Sequence, residues 1–405
     1  MKNKMRKGIL ALMLAVGMTA APVQAAAADL ALGEVQGATF KQKSKVTLEN
    51  TEYKNAADVK AIKRILEKNC SGDIQWCTNL DNTDCYKWTA NGRLSYLNFN
   101  LGYTHLKGKL SLKGLTKLSY LDVGDSNLTG LDVSKNPNLK VLKCSGNQMN
   151  KLDVSKNTKL EELYCAKNKL TSLNVSKNPK LNSLDCSENK LTSLDVSRNS
   201  QLWSLHCAKN RMSKLVLGKN LKLDSLNCAN NQLTSLEVSR NPKLDELDCR
   251  NNKLTSLEVS KNPKLTSLSC YNNQLTSLDV SKNPKLHSLD CFENQLTSLD
   301  LSKNPKLNCL SCSENQLTSL NVSRNLELEL LDCNHNQLTS LDVSGNPKLE
   351  GLYCYNNQLT SLDVSKNPKL TSLACANNQL TSLDLRNNPL LLSPWCDGNV
   401  TVIYR

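Results

Sequence analysis

Most of the chain repeats a pattern of apolar and polar residues with a period of 21 residues. In the unit that begins at Leu244, apolar side chains occupy positions 1, 4, 6, 11, 14 and 16 of the repeat, and polar residues fill nearly all the rest. Position 6 is cysteine in every unit from Cys144 to Cys396, and positions 9 and 19 are asparagine almost throughout. A fixed period of this length is typical of a protein built by stacking one small structural unit.

Within each unit, the alternation at positions 4 and 6 predicts a short strand with one buried face. Strands of successive units are expected to stack in parallel, so that each column of identical residues forms a ladder. Asn252, which follows the strand, can bond backbone groups of its own and the neighbouring turn. Asn262-Pro263 predicts the turn that closes the unit. One unit cannot bury its leucines alone, so the sequence predicts a solenoid with one continuous core.

Thirteen of the seventeen cysteines belong to the position-6 column, where they should point into the core. Two interpretations are open, disulfides between neighbouring units or buried free thiols. Stacked strands lie about 4.8 Å apart, but parallel side chains fit poorly with the torsion of about 90° that a disulfide requires. The free-thiol interpretation is therefore favoured, with cysteine acting as a small apolar core residue. The regular spacing also offers no four-ligand zinc cluster, so no metal is expected.

The first part of the chain predicts export followed by a capping segment. Residues 1–25 have a basic start, an apolar run and a small-x-small end at Ala25, which predicts a signal peptide. Its removal would take four positive charges from the net charge, +14 − 4 = +10. Residues 26–53 are expected to be a flexible N-terminal segment. No later stretch is apolar enough to span a membrane.

Residues 54–93 predict a helical, cysteine-containing cap over the open N-terminal end of the solenoid. Asn55 is suited to be the N-cap of a helix that ends at Asn69. Cys70, Cys77 and Cys85 follow, and the sequence leaves their disulfide pairing open. Residues 94–390 are assigned to the repeats, with two atypical units at the start. Residues 391–405 are assigned to a last, degenerate repeat and a C-terminal cap.

The motif Leu-x-x-Leu-x-Cys-x-x-Asn-x-Leu-x-x-Leu-x-Val-x-x-Asn, over roughly residues 94–399, resembles the bacterial internalin-like leucine-rich repeat proteins. The subgroup it resembles has 21-residue repeats and a cysteine ladder, the internalin J type. The resemblance implies a curved, right-handed leucine-rich repeat solenoid. Its concave face would carry the parallel β-ladder and its convex side would be mostly irregular. It also implies a role in adhesion or recognition of a host protein.

Comparison of the units with one another indicates where binding could occur. The second half of the unit hardly varies, whereas the outward-facing positions of the strand segment do, and acidic residues outnumber basic ones there. Aromatic residues between residues 139 and 390 lie only in this segment. They could be interface anchors, or could mark columns that merely tolerate change. The candidate ligand-binding residues are Tyr164, Trp203, His206, Tyr271, Asp290, Phe292, Asp332, Tyr353 and Tyr355.

These features predict a secreted, monomeric, non-enzymatic recognition protein whose concave face binds a protein or glycoprotein, with a host-derived ligand and cell-surface retention both left open. The alternative is a structural envelope protein held on anionic cell-wall polymer by its lysine-rich turns, such as that of Lys261. Those lysines are evenly spread without interleaved aromatics, which argues against nucleic acid. Histidines such as His206 and His287 lie too far apart to form a catalytic or metal site, so no cofactor is expected.

Overall fold

The computed structural model describes residues 46–71, 74–100 and 105–404. The expected signal peptide and residues 26–45 lie outside the described residues. The chain divides into two units, residues 1–45 and Val46–Arg405, and the following account concerns the second.

The described residues contain one α-helix, α1 (Ala56–Asn69), a short 3-10 helix (Gln75–Cys77) and 22 strands. The strands are β1 (Cys70–Ser71), β2 (Tyr86–Trp88), β3 (Leu94–Asn98), β4 (His105–Ser111), β5 (Tyr120–Asp122), β6 (Asn127–Asp132), β7 (Val141–Lys143), β8 (Glu162–Tyr164), β9 (Ser183–Asp185), β10 (Ser193–Asp195), β11 (Ser204–His206), β12 (Lys214–Val216), β13 (Ser225–Asn227), β14 (Glu246–Asp248), β15 (Ser267–Ser269), β16 (Ser288–Asp290), β17 (Cys309–Ser311), β18 (Leu330–Asp332), β19 (Gly351–Tyr353), β20 (Ser372–Ala374), β21 (Ser382–Asp384) and β22 (Thr401–Ile403).

The first strand of each unit joins one 15-stranded sheet, in the order β2-β3-β5-β7-β8-β9-β11-β13-β14-β15-β16-β17-β18-β19-β20. Neighbouring strands from β3 onward are parallel and in register, so that Leu247, Leu268 and Leu289 lie side by side. The second halves of the units are mostly irregular, apart from the parallel pairs β4–β6, β10–β12 and β21–β22. The leucine-rich repeat solenoid predicted from the period is confirmed.

The core is a stack of apolar columns, because each position of the repeat has the same environment in every unit. The leucines at positions 1, 4, 11 and 14 are buried throughout the regular units. The ladder cysteines from Cys144 to Cys375 are also fully buried, and all of them are free thiols. Burial raises the pKa of these thiols well above its ordinary value, as at Cys165 and Cys249, because a thiolate would lose its hydration there. The cysteines therefore act as small apolar core residues.

Two asparagine ladders supply the hydrogen bonds of the turns. Asn252 Nδ2 donates to the carbonyl oxygens of Cys228 (3.1 Å) and Cys249 (3.0 Å), and its Oδ1 accepts from Leu233 N (3.0 Å). In the second ladder, Asn262 Nδ2 donates to the carbonyl oxygens of Val238 and Asn241. Each amide thus ties its own turn to the preceding unit and satisfies backbone groups that the core would otherwise leave unpaired.

The residue before the first asparagine ladder adopts a left-handed backbone conformation. Its φ is +51° to +55° at several non-glycine positions, including Asn251, Asn272 and His335. Asparagine is tolerated in this conformation better than most residues, which explains its recurrence in the column. This turn sends the chain away from the sheet and fixes the direction of the side chain just before it.

At the N-terminal end, α1 and β2 cover the first unit. Asn55 Oδ1 accepts hydrogen bonds from Ala57 N and Asp58 N, which confirms the expected N-cap. Strand β2 pairs antiparallel with β3 and occupies the edge that the stack would otherwise leave open. Packing begins at the buried Val46, and Glu49 N donates to Thr78 O (3.0 Å), so residues before the residue-54 boundary expected from the sequence also take part in the cap.

Two of the three cap cysteines meet inside this cap. The Sγ atoms of Cys77 and Cys85 are 3.7 Å apart and both thiols are buried, whereas Cys70 is only partly buried and begins β1. Tyr86 Oη donates to Cys77 O (2.7 Å) and holds this loop against the core. At the other end of the solenoid, Trp395 bridges to Ala374 and β22 pairs with β21, which extends the coil into the residues assigned to the C-terminal cap.

Candidate ligand-binding face

The outward side of the 15-stranded sheet, here called the strand face, carries the variable positions of the repeat. In β15, Ser267 and Ser269 flank the buried Leu268 and point to this side, and Tyr271 follows the buried Cys270. Because successive residues of a strand point to opposite faces, positions 3, 5 and 7 form outward columns. The opposite side, here called the turn side, is formed by the Ser-Lys-Asn-Pro-Lys turns such as residues 260–264.

The middle of the strand face holds an aromatic stack. The rings of Tyr271 and Phe292 have centroids 4.0 Å apart and an interplanar angle of 15°. The Arg250 guanidinium lies over the other side of the Tyr271 ring, 5.5 Å from its centroid, and its Nε pairs with Asp248 Oδ2 at 3.4 Å. The sequence placed Tyr271 and Phe292 in adjacent units of one column, and the structure brings them into contact. Both side chains remain partly exposed.

A second aromatic group lies toward the C-terminal end. Tyr355 packs against Trp395 with centroids 4.9 Å apart, and against His335 edge to face at 5.2 Å. His335 Nε2 also lies 2.7 Å from Asn356 Nδ2. Of these residues, the sequence selected Tyr355 alone, because Trp395 was assigned to the end cap. The position of Trp395, one residue before Cys396, places it in an outward column of the repeat and could have identified it.

Tyr353 does not lie exposed beside Tyr355, contrary to the sequence prediction. It is only 9% exposed, and its ring lies close to Gly351. A Cβ on Gly351 would come within 3.3 Å of Tyr353 Cε2 and 2.7 Å of Leu330 Cδ1. The missing side chain at Gly351 makes the space that the ring fills. Tyr353 is therefore an internal packing residue of the strand face.

The predicted acidic column is present but is largely buried in its middle. Asp290 is half-buried, whereas Asp332 is only 4% exposed, which corrects the expectation that it is solvent-facing. Asp332 accepts from the Asn334 side chain and from Asn334 N (3.4 Å). Burial raises the pKa of Asp290 to about 6 and that of Asp332 to about 7. The cause is lost hydration of the carboxylate, which the hydrogen bonds from Asn334 and the charge of Arg250 offset only in part.

Carboxyl groups on the turn side behave in the opposite way. Asp279, Asp300 and Asp342 are exposed, and each accepts a hydrogen bond from the backbone N–H of the serine two residues later, at 2.8–2.9 Å. These bonds stabilise the ionised form and lower the pKa of each carboxyl. On the strand face, by contrast, burial outweighs the compensating hydrogen bonds and charges at Asp290 and Asp332.

A third aromatic group lies at the N-terminal end of the strand face. Tyr96 and Tyr120, from the two atypical units, stack with centroids 4.3 Å apart and an angle of 15°. Lys87 Nζ lies 4.7 Å from the Tyr96 centroid, and Lys143 Nζ lies between the rings of Tyr120 (5.7 Å) and Tyr164 (5.6 Å). The sequence selected only Tyr164 here, although the 24-residue spacing of the two tyrosines placed them in one column.

The remaining predicted residues, Trp203 and His206, lie at and just before β11. Trp203 is 50% exposed and stands at position 2, at the edge of the strand face. It borders a shallow depression lined by Glu161, Asn182 and Gln201 and by the turn-side lysines Lys180 and Lys222. His206 is exposed at the end of β11. The nine predicted residues are therefore spread along the strand face in separate groups, and two of them are covered by their neighbours.

The part of the chain that the structure describes lacks two features of other protein classes. Within residues 46–71, 74–100 and 105–404, no helix is long and apolar enough to cross a bilayer. The same residues contain no group of three or more His, Cys, Asp or Glu side chains arranged to hold a metal ion.

The repeats and their strand face define a leucine-rich repeat protein. The family model for leucine-rich repeats in two copies matches residues 242–283, 263–304, 326–367 and 347–388. The functional domain of InlJ from Listeria monocytogenes, a structure that includes a cysteine ladder, is 39% identical. That alignment covers 71% of this chain and 69% of that one, with a TM-score of 0.64. The chain belongs to the internalin-like leucine-rich repeat proteins that have a cysteine ladder.

Two more distant structures share the fold. The internalin inlF from Listeria monocytogenes is 20% identical over 89% of this chain and 98% of that chain, with a TM-score of 0.64. The plant peptide hormone receptor RGFR1, in complex with RGF2, is 19% identical over 80% of this chain and 68% of that chain, with a TM-score of 0.56. No curated protein sequence matches the chain.

Proposed function

We propose that the chain is a secreted, adhesin-like recognition protein that binds a protein or glycoprotein through its strand face. The observation that carries this proposal is the segregation of side chains between the two sides of the solenoid. The strand face gathers partly exposed aromatic groups around Phe292, Trp203 and Tyr355, whereas the turn side repeats one polar sequence. Aromatic side chains on an otherwise polar surface are the usual anchors of protein interfaces.

Family membership supports the same function. The InlJ functional domain, which is 39% identical, shares the cysteine ladder of this chain. The proposal extends to a monomer that acts outside the cell. A host-derived ligand would fit this role.

The rival function uses the turn side. Lys261, Lys282 and Lys303 are exposed and lie one unit apart, so they form a regular basic row. Such a row would hold the protein on an anionic cell-wall polymer by charge alone. That attraction would weaken steeply with salt, because the Debye length falls to about 3 Å at 1 M ionic strength.

Replacing Trp203 and Phe292 together by alanine should weaken binding to immobilised mucosal glycoproteins by about 30-fold. This corresponds to roughly 2 kcal/mol, as expected for interface aromatic residues. The loss should change little with salt, because it comes from apolar area. Binding is measured by biolayer interferometry at low and high salt. The matched control reverses the charge of Lys261, Lys282 and Lys303 to glutamate, which should leave this binding unchanged. If retention is unchanged by the aromatic substitutions but is lost in the charge-reversal variant or at high salt, the polymer function is favoured instead.

A further inference from the structure

Two aspartates at the centre of the strand face, the half-buried Asp290 and the buried Asp332, form no close ion pair with other residues that the structure describes. Neither Asp290 nor Asp332 forms an ion pair with any described residue, and the nearest base, Arg250, pairs with Asp248. A carboxylate removed from water without a counter-charge is costly, and a protein does not gain stability from keeping it so. The arrangement is therefore understandable if the counter-charge comes from a ligand.

A third polar side chain between the two aspartates points to the same conclusion. Ser311 is in register with Asp290 on one side and Asp332 on the other, in the same outward column. Its residue is fully buried and its Oγ has no hydrogen-bond partner among the described residues. Buried hydroxyl groups in proteins are normally hydrogen-bonded. In the described part of the chain, Ser311 Oγ thus lies unpaired between two carboxyl groups that have no counter-charge.

The groups around this place show which ligand chemistry would satisfy it. The titratable side chains that face the two aspartates are Asp248, Arg250, Tyr271, Cys309, Glu314 and Tyr353, with the ladder thiols behind them. Arg250 is the only cation among them, and Asp248 and Glu314 add further negative charge. Phe292 and the pair Leu330–Tyr353 supply apolar surface beside the carboxyl groups.

We propose that Asp290, Ser311 and Asp332 form a subsite for basic side chains of a peptide segment in the ligand. The inference rests on the proposed function, because it names what the strand face recognises. The two aspartates are two strands apart, about 9.6 Å along the ladder. Two cationic side chains three residues apart in an extended, polyproline-type peptide have a similar separation, about 9.3 Å. One lysine or arginine would meet each carboxylate. Ser311 and Asp332 are covered in the free protein, so the side chains around them would have to move for the ligand to reach them.

The subsite makes binding dependent on pH. Both carboxyl groups bind a cation only when ionised, and their raised pKa values leave them largely protonated below about pH 6. A cation stabilises the ionised form, so binding would release protons and would strengthen as the pH rises through about 6 to 7. Lysine, with a pKa of about 10.4, stays charged throughout this range.

The test uses a defined peptide, acetyl-Lys-Pro-Pro-Lys-Pro-Pro-amide, and isothermal titration calorimetry on the whole chain. We expect binding at about pH 8, and at least about tenfold weaker binding at about pH 5, because the two carboxyl groups are then largely protonated and no longer attract the lysines. The same peptide with both lysines acetylated should bind at least about tenfold more weakly at pH 8. Equal affinity for the two peptides in the unaltered protein would overturn the inference, and that comparison needs no variant.

The variant Asp290→Asn with Asp332→Asn should lose both the affinity at pH 8 and the pH dependence. Asn keeps the shape of the side chain, so thermal unfolding should confirm that the variant folds. The matched control, Asp300→Asn with Asp342→Asn on the turn side, should bind as the unaltered protein does. If the peptide does not bind but the Trp203 and Phe292 substitutions still weaken glycoprotein binding, only the proposed basic-peptide subsite is wrong. If those aromatic substitutions also leave glycoprotein binding unchanged, the proposed binding function of the strand face is wrong.

Discussion

Replacing Arg93 by alanine should lower the free energy of unfolding of the N-terminal end by about 3 kcal/mol or more. Asp58 is fully buried, and its carboxylate accepts Arg93 Nε at 2.9 Å, Arg93 Nη2 at 3.0 Å and Leu94 N at 2.8 Å. This bidentate pair joins helix α1 to the start of β3. Removing the cation would leave a buried carboxylate with one backbone donor, and breaking a buried pair in this way typically costs 3–5 kcal/mol. Urea unfolding followed by tryptophan fluorescence measures the loss, since Trp88 packs within the cap.

The matched control is Arg386→Ala. Arg386 and Asp384 also form a close pair, with Nη2 and Oδ2 2.7 Å apart, but both side chains are about half exposed. Solvent screens exposed pairs of this kind, so removal of this one should cost far less than removal of the buried pair. The double variant Asp58→Ala with Arg93→Ala should recover part of the loss, because it leaves no unpaired charge. Equal effects of Arg93→Ala and Arg386→Ala would show that the cap does not depend on the buried pair.

Leu268→Ala, in the middle of the array, should cost about 2–5 kcal/mol. Leu268 is 0% exposed and lies in register between Leu247 and Leu289, so its removal leaves a cavity shared by three units. Large-to-small changes in a close-packed core lose both transfer free energy and packing contacts. The expected result is a lower urea midpoint, with an unfolding transition broadened by separation of the two halves of the stack.

Leu326→Ala makes the same chemical change on the surface. Leu326 occupies the column that is proline in most units and is 55% exposed, so its loss should cost less than about 0.5 kcal/mol. A comparable loss from the two leucine variants would mean that burial in the stack does not determine stability. Both variants keep the strand-face residues, so they also serve as controls for binding.

The repeat made most of the fold predictable. Each unit has nearly identical neighbours, so all residues at one position of the repeat have the same environment. Leu268 and Asn252 are examples. The alternation of polar and apolar residues around Leu268 predicted which side chains of the strand point outward. The contrast between Leu326 and the core leucines could likewise be inferred, because Leu326 stands where other units have an exposed turn proline.

Burial on the strand face could not be predicted in the same way. Burial there depends on neighbouring side chains that differ from unit to unit. The alternation of apolar and polar residues predicts which way a side chain points but not whether its neighbours cover it. Tyr353 is covered because Gly351 leaves space for its ring, and Asp332 because Asn334 reaches back to it. The pairing of Asp58 with Arg93 joins residues 35 apart in a part of the chain with no period to indicate it.

The location of the ligand on the strand face is tested most directly by site-specific photo-crosslinking. A benzophenone amino acid replaces Phe292 in one protein and Lys282 on the turn side in another, and each is irradiated with mucosal glycoproteins. The account predicts a crosslinked product from position 292, removed by excess unlabelled protein, and none from position 282. Crosslinking from position 282 with none from 292 would contradict it.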